Sequence, residues 1–192
     1  MKKKQEKKKL SLIVFIVIIM VGTTFSFVFY GFAPATEAIK YNGLSFESNN
    51  NMWIAKINGA DAAFSFLPGE VQDIPVSSNV AGMLQQKYEI DITYEVNSTF
   101  KESIALAQHQ MELTLNTYNL YLRKGFTANN SFNLPIITCK DSSQNVPVIY
   151  FRYSNSTNIH LENSCIVAEA SKNADFIRVK DRLVYGILGV MS

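Results

Sequence analysis

The sequence is poor in the residues that carry most enzymatic and metal chemistry. It holds two histidines (His109 and His160), two cysteines (Cys139 and Cys165) and a single tryptophan, Trp53. No stretch reads G-x-G-x-x-G or forms a Walker loop, which excludes the dinucleotide and nucleotide fingerprints that cradle phosphates on a helix start. G-x-S-x-G, H-E-x-x-H and C-x-x-C are also missing, which removes the signatures of a nucleophile elbow, a zincin and a thioredoxin-like redox pair. Internal repeats and low-complexity tracts are absent too. Positive charge is scarce outside the first nine residues: the remainder has 12 basic and 15 acidic side chains. A mildly acidic domain offers no basic face for nucleic acid.

The most telling absence is of any charge in residues 10–32, LSLIVFIVIIMVGTTFSFVFYGF. About 20 apolar residues span a bilayer as a helix, so this run reads as a transmembrane helix. The tail before it, residues 1–9, carries six lysines against one glutamate. By the positive-inside rule the tail stays cytoplasmic and the rest is exported, tethered to the lipid bilayer through residues 10–32. Tyr30 and Phe32 stand where an interfacial aromatic belt is expected. A cleaved signal peptide, with Ala33-Pro34-Ala35 as its site, is the rival, although its apolar core is normally about 7–15 residues. Residues 33–38 are a short connector, and residues 39–192 make one extracytoplasmic α+β domain of ordinary size.

Export changes how the cysteines read. Two cysteines outside the cytoplasm suggest a disulfide, and only Cys139 with Cys165 can form it. Two free buried thiols are the alternative. Three N-x-[S/T] sequons begin at Asn97, Asn129 and Asn155, each a possible glycan acceptor in an exported chain; Asn and Ser are also ordinary turn residues.

Along the domain, residues 39–67 read as a β-meander with strands over 41–47, 52–57 and 61–67. Asn58-Gly59 supplies a hairpin turn, and Trp53 is assigned to the core of the sheet. Residues 71–75 are extended, and Ser77 or Ser78 caps a short helix running to Lys87. Residues 88–96 alternate apolar and polar, a strand with one wet face. Thr99 to Glu102 has the capping-box pattern of a helix running to Asn116. A strand over 118–126 completes a βαβ unit. Short strands over 134–139 and 146–153 follow, then a strand over 159–170 bulged at Asn163-Ser164, giving a β-hairpin. The terminal helix, 174–191, has a broad apolar arc; Asp175, Arg178, Asp181 and Arg182 take its remaining surface, and Gly186 and Gly189 suggest close approach to a neighbouring backbone. The fold class is α+β: an N-terminal transmembrane helix, then one mixed-sheet ectodomain with a β-meander, a βαβ unit, a β-hairpin and a C-terminal helix.

Chemistry is sparse. His109 and Glu112 share a helix face at i, i+3 with His160 on a strand, but two-ligand coincidences do not make a metal site, and no metal or cofactor is expected. Glu89, Asp91 and Glu95 line one strand face, alternate residues about 7 Å apart, near the range of glycosidase carboxylates. The loop Lys140, Asp141, Ser142 after Cys139 is the best place for a ligand pocket if the sheet is partly parallel. Several stretches, YNGLSFE (41–47) with the following Trp53, LPGEVQDI (67–74), PIITCKDSSQNVPVIYF (135–151), NSCIVAEA (163–170) and DRLVYGILGVM (181–191), resemble a group of uncharacterised single-pass membrane proteins of small-genome archaea. The resemblance implies the anchor and the paired cysteines; no activity or site residue comes with it. The expected role is non-catalytic: recognition of an envelope protein or glycan, or organisation of the cell envelope. An anchored hydrolase using the loop after Cys139 is the alternative, and a subunit of a larger membrane complex docking through the last helix is a third reading.

Overall fold

The computed structural model describes residues 14–21 and 38–191. The expected tail (1–9), the connector (33–38, apart from Ala38), the aromatic belt, the cleavage site and most of the 10–32 segment lie outside those residues. The chain divides into two units, Met1–Thr36 and Glu37–Ser192. In the first, residues 14–21 are helical (α1) with exposed side chains. Among the described residues no helix is long and apolar enough to cross a membrane.

The second unit is α+β and holds two sheets. The first is an antiparallel meander of four strands, β1 (Ala38–Tyr41), β2 (Leu44–Asn49), β3 (Met52–Ile57) and β4 (Ala60–Phe64), paired in sequence order. Its three turns are two residues long, Asn42-Gly43, Asn50-Asn51 and Asn58-Gly59, and every turn residue has positive φ. That is the twist-matched hairpin turn that Asn and Gly tolerate. The expected first strand, 41–47, is thus split by a second Asn-Gly turn. Phe46, Ala55, Ile57, Ala62 and Phe64 are buried on one face.

The meander ends at Pro68, the first residue of a one-turn helix, α2 (Pro68–Val71), where its missing N–H costs nothing. The extended reading of 71–75 gives way to this helix and the turn after it. α3 (Val80–Leu84) is shorter than expected.

The second sheet has five strands in the order β6-β5-β7-β9-β8. These are β5 (Glu89–Tyr94), β6 (Tyr121–Phe126), β7 (Val148–Tyr153), β8 (Asn158–Glu162) and β9 (Cys165–Ala170). β5 pairs in parallel with both β6 and β7, and β7 with β9; only β8 runs antiparallel, at the edge. The expected bulge at Asn163-Ser164 is a hairpin turn, with Asn163 at φ 57°, that separates β8 from β9. The expected strand 134–139 makes only an isolated bridge between Ile136 and Phe126 before a 3-10 turn, Cys139–Asp141.

α4 (Lys101–Asn116) and α5 (Asp175–Ile187) lie between the two sheets. Phe46 of β2 and Phe64 of β4 meet Tyr185 of α5, with Phe64 and Tyr185 stacked at 4.1 Å. On its other side α5 packs on β9, and α4 on β5 and β6. A helix covered on both sides buries its polar arc as well. Asp181 and Arg182, expected on the surface, are therefore interior, and Lys180 is buried with them. Asp181 accepts the N–H groups of Ser65 and Phe66, both at 2.9 Å, and pairs with Lys180. Gly186 has open space where a Cβ would stand, so it marks no close approach. Gly189, at φ 75°, terminates α5: the Val190 N–H reaches the Tyr185 carbonyl at 2.9 Å in a Schellman closure. The capping box at Thr99 does not form; the helix begins after Phe100, whose N–H is accepted by Ser98 Oγ.

The outer face of the five-stranded sheet is not wet over β5. Asp91 and Thr93 are fully buried. Asp91 takes a bidentate pair from Arg123 at 2.7 and 2.6 Å, and Thr93 Oγ1 donates to the Ile137 carbonyl at 2.8 Å. The segment carrying Ile137 folds over this face and builds a second small core with Val148 and Cys165. The disulfide Cys139–Cys165, Cα atoms 5.1 Å apart, fastens it.

Candidate functional site

In an open sheet with parallel strands, ligands settle beyond the carboxyl ends of the strands, where the order of connection reverses. Here that point lies between β5 and β7, because the chain passes from β5 through α4 to β6 on one side and β7 joins β5 on the other. Tyr94 and Phe151 form the last register pair. Beyond them the chain leaves β5 through a turn in which Ser98 N–H reaches the Glu95 carbonyl at 2.9 Å. This turn and the end of β7 enclose a cavity of about 230 Å³. Glu95, Asn97, Ser98 and Thr99 line one wall; Phe151, Arg152 and Tyr153 line the other. The Tyr153 ring is half exposed and stands 5.1 Å from that of Phe100.

The charged groups at the cleft are already committed. Glu95 accepts the Tyr150 hydroxyl at 2.9 Å. Burial, with the neighbouring Glu95 carboxylate, pushes that phenol up to about 12. Arg152 donates to Glu169 at 2.9 Å and to Glu162 at 2.6 Å, with its guanidinium 5.9 Å over the Tyr150 ring. The hydrogen bond from Arg152 holds Glu162 below the ordinary carboxylate range. Burial pushes Glu169 up, but hydrogen bonds from Arg152 and Asn158 outweigh it and leave it lowered. His160 completes the network, with Asn158 at 2.7 Å and Glu162 at 3.2 Å. Glu95, Asn97, Ser98, Thr99 and Arg152 bring hydrogen-bonding groups to the cleft, while the positive charge of Arg152 is neutralised by its two carboxylates. That suits a small neutral ligand rich in hydroxyl groups better than an anion.

The residues expected to form a site from sequence are spread over the domain. Lys140, Asp141 and Ser142 lie at the amino ends of β7 and β9. Lys140 is exposed. Asp141 accepts the Thr138 N–H and hydroxyl at 2.8 and 2.9 Å, bonds that lower its pKa. Ser142 Oγ donates to the Ser164 carbonyl at 2.5 Å and accepts the Val148 N–H at 3.1 Å. Beside this loop a second cavity of about 240 Å³ opens between Gly82, Met83 and Lys87 and the Ser143-Gln144 turn. His109, on α4, lies near Glu112 at 3.8 Å, while Glu112 pairs with Lys124. His160 is on β8, paired with Glu162, so the two histidines do not converge. Among the described residues no group of three or more His, Cys, Asp or Glu side chains could hold a metal ion. Asn97, Asn129 and Asn155 are all exposed.

Sequence reasoning missed Arg152, Tyr150 and Tyr153, which lay inside a run read only as a strand, 146–153. The signal was topological: with a βαβ unit in hand, the turn after its first strand is the place to look, and Glu95 and the polar run Asn97-Ser98-Thr99 sit there. No protein-family model matches the chain, and no curated protein or solved structure matches it.

Proposed function

We propose that the chain is a membrane-tethered extracytoplasmic receptor domain that holds a small, neutral, hydroxyl-rich ligand, such as a sugar unit, without transforming it. The observation that carries the reading is the cleft at the carboxyl ends of β5 and β7, set where parallel sheets place ligands. Paired hydrogen-bonding side chains beside an exposed ring match the few polar groups and aromatic wall of a small-molecule pocket. Glu95 and Arg152 already have partners, which supports holding a ligand over transferring a proton to it. The tether rests on the uncharged run at 10–32 and the lysine tail before it. The Cys139–Cys165 bridge is consistent with an oxidising compartment.

A thermal-shift series on the detergent-solubilised full chain, with neutral mono- and disaccharides as probes, tests the cleft. At about 100 times its dissociation constant a bound probe adds about 2.7 kcal/mol. At least one sugar is expected to raise the melting temperature, and Tyr153→Ala is expected to abolish that rise. A series without any shift, or one unchanged in the variant, overturns the binding reading. Alkaline carbonate extraction tests the tether: the chain should stay in the membrane pellet.

A further inference from the structure

The three sequons share a position that the linear sequence conceals. Asn97 follows β5, Asn129 follows β6 and Asn155 follows β7, each two or three residues after the last strand residue. These strands are neighbours in the sheet and run parallel, so all three loops leave from its carboxyl end. Asparagines also stand at the opposite end, where Asn116 and Asn119 precede β6, Asn145 precedes β7 and Asn163 precedes β9. None of those begins a sequon, and neither does any asparagine of the meander. Asn58, Asn130 and Asn158 commit their Nδ2 groups to Leu188, Leu134, and Ser156 with Glu169. Among the described residues no such bond ties the exposed Asn97, Asn129 and Asn155 amides, and Asn129 uses only its Oδ1.

We propose that the carboxyl-end rim of the five-stranded sheet is the N-glycosylated pole of the domain. In the reaction the Asn Nδ2 loses a proton and bonds to the anomeric carbon of a lipid-phosphate-linked oligosaccharide. The anomeric C–O bond breaks and the lipid phosphate leaves. The acceptors are unequal. Thr99 and Ser131 are exposed, whereas Thr157 Oγ1 is held by Asp175 at 2.9 Å and Ser171 at 3.1 Å, so Asn155 is filled least. Asn97 also lines the cleft, so its glycan would stand beside that opening. The inference rests on the exported topology proposed above.

The test expresses the full chain in a cell whose secretory pathway N-glycosylates. Gel mobility is read before and after N-glycosidase, and acceptor sites are mapped by peptide mass spectrometry. Asn97→Gln and Asn129→Gln should each remove one oligosaccharide-sized step, and Asn155→Gln a smaller fraction. Tyr121→Thr creates an acceptor at Asn119 on the opposite end and reports whether the host modifies the domain at all. Alkylation without reductant reports export separately. A bridged chain that stays bare at Asn97 and Asn129, above all one modified at Asn119 in the Tyr121→Thr variant, overturns the glycosylated rim and leaves the exported topology standing. A bare chain with both thiols reactive overturns the topology and the rim together.

Discussion

Among the described glycines, Gly125 is the one that an added methyl group would crowd. A Cβ there would stand 2.6 Å from the Pro135 carbonyl oxygen and 2.7 Å from the Ile137 side chain. The first of these is backbone, and it is pinned: Phe126 N–H reaches the Pro135 carbonyl at 3.0 Å, and Ile137 N–H reaches the Phe126 carbonyl at 2.8 Å. Gly125→Ala should therefore lower stability by about 1–3 kcal/mol, the usual cost of overpacking. The check is the urea midpoint of the detergent-solubilised chain; an unchanged midpoint would mean that the segment rides up without penalty. Asp181 makes a different residue-scale point. Burial pushes its carboxyl pKa up, while Lys180 and the N–H groups of Ser65 and Phe66 pull it down, and burial prevails. From sequence Asp181 belonged to a solvent-facing arc, because helical periodicity records which residues are apolar and not how many surfaces will close over the helix.

At the scale of elements, α5 was legible as a helix but not as a middle layer. Its start came close to the sequence reading because the apolar spacing marks it, but the helix ends at Ile187 and not at Met191: Gly189, read as lying inside the helix, terminates it. Its second face was hidden, since nothing local says that a meander folds back over it. The β-meander and the parallel β5-α4-β6 unit were readable from alternation and turn chemistry. Asn42-Gly43 was missed although it carries the same turn signal as Asn58-Gly59. The hairpin at Asn163-Ser164 was mistaken for a bulge because β8 and β9 are each so short. The 135–142 segment shows what a covalent tie adds to an element with little regular structure. Converting Cys139 and Cys165 to serine should cost about 3 kcal/mol by loop entropy. The loosening should be local: amide exchange should accelerate around residues 135–148, next to Ile137 and Val148, and change little in α5. Equal acceleration throughout would show that the bridge supports the whole core.

For the molecule as a whole, acid is the informative stress. The hydrogen bond from Arg178 lowers Asp73, the one from Arg152 lowers Glu162, and Glu169 ends lowered against its burial. A carboxylate lowered in the fold stabilises it above the ordinary carboxylate range and loses that contribution as pH falls through the folded value. Asp181, being raised, contributes with the opposite sign: its protonated form is favoured in the fold, and it costs stability as pH climbs past the ordinary value. Arg152→Met should cost about 2 kcal/mol at pH 7, moderated because Arg152 is a third exposed, and should cost much less near pH 3. Urea unfolding at the two pH values checks this, and an equal loss at both would remove the charge network from the account. The cleft was only half legible in advance: the polar turn after β5 was visible, but its partner Arg152 is placed by strand order, which requires knowing that β7 docks beside β5 rather than beside β6. The central position of α5 has a further consequence. Until this last of the described elements is made, Phe46 and Phe64 have no Tyr185 to close against, and of the two central helices only α4 links the meander to the five-stranded sheet.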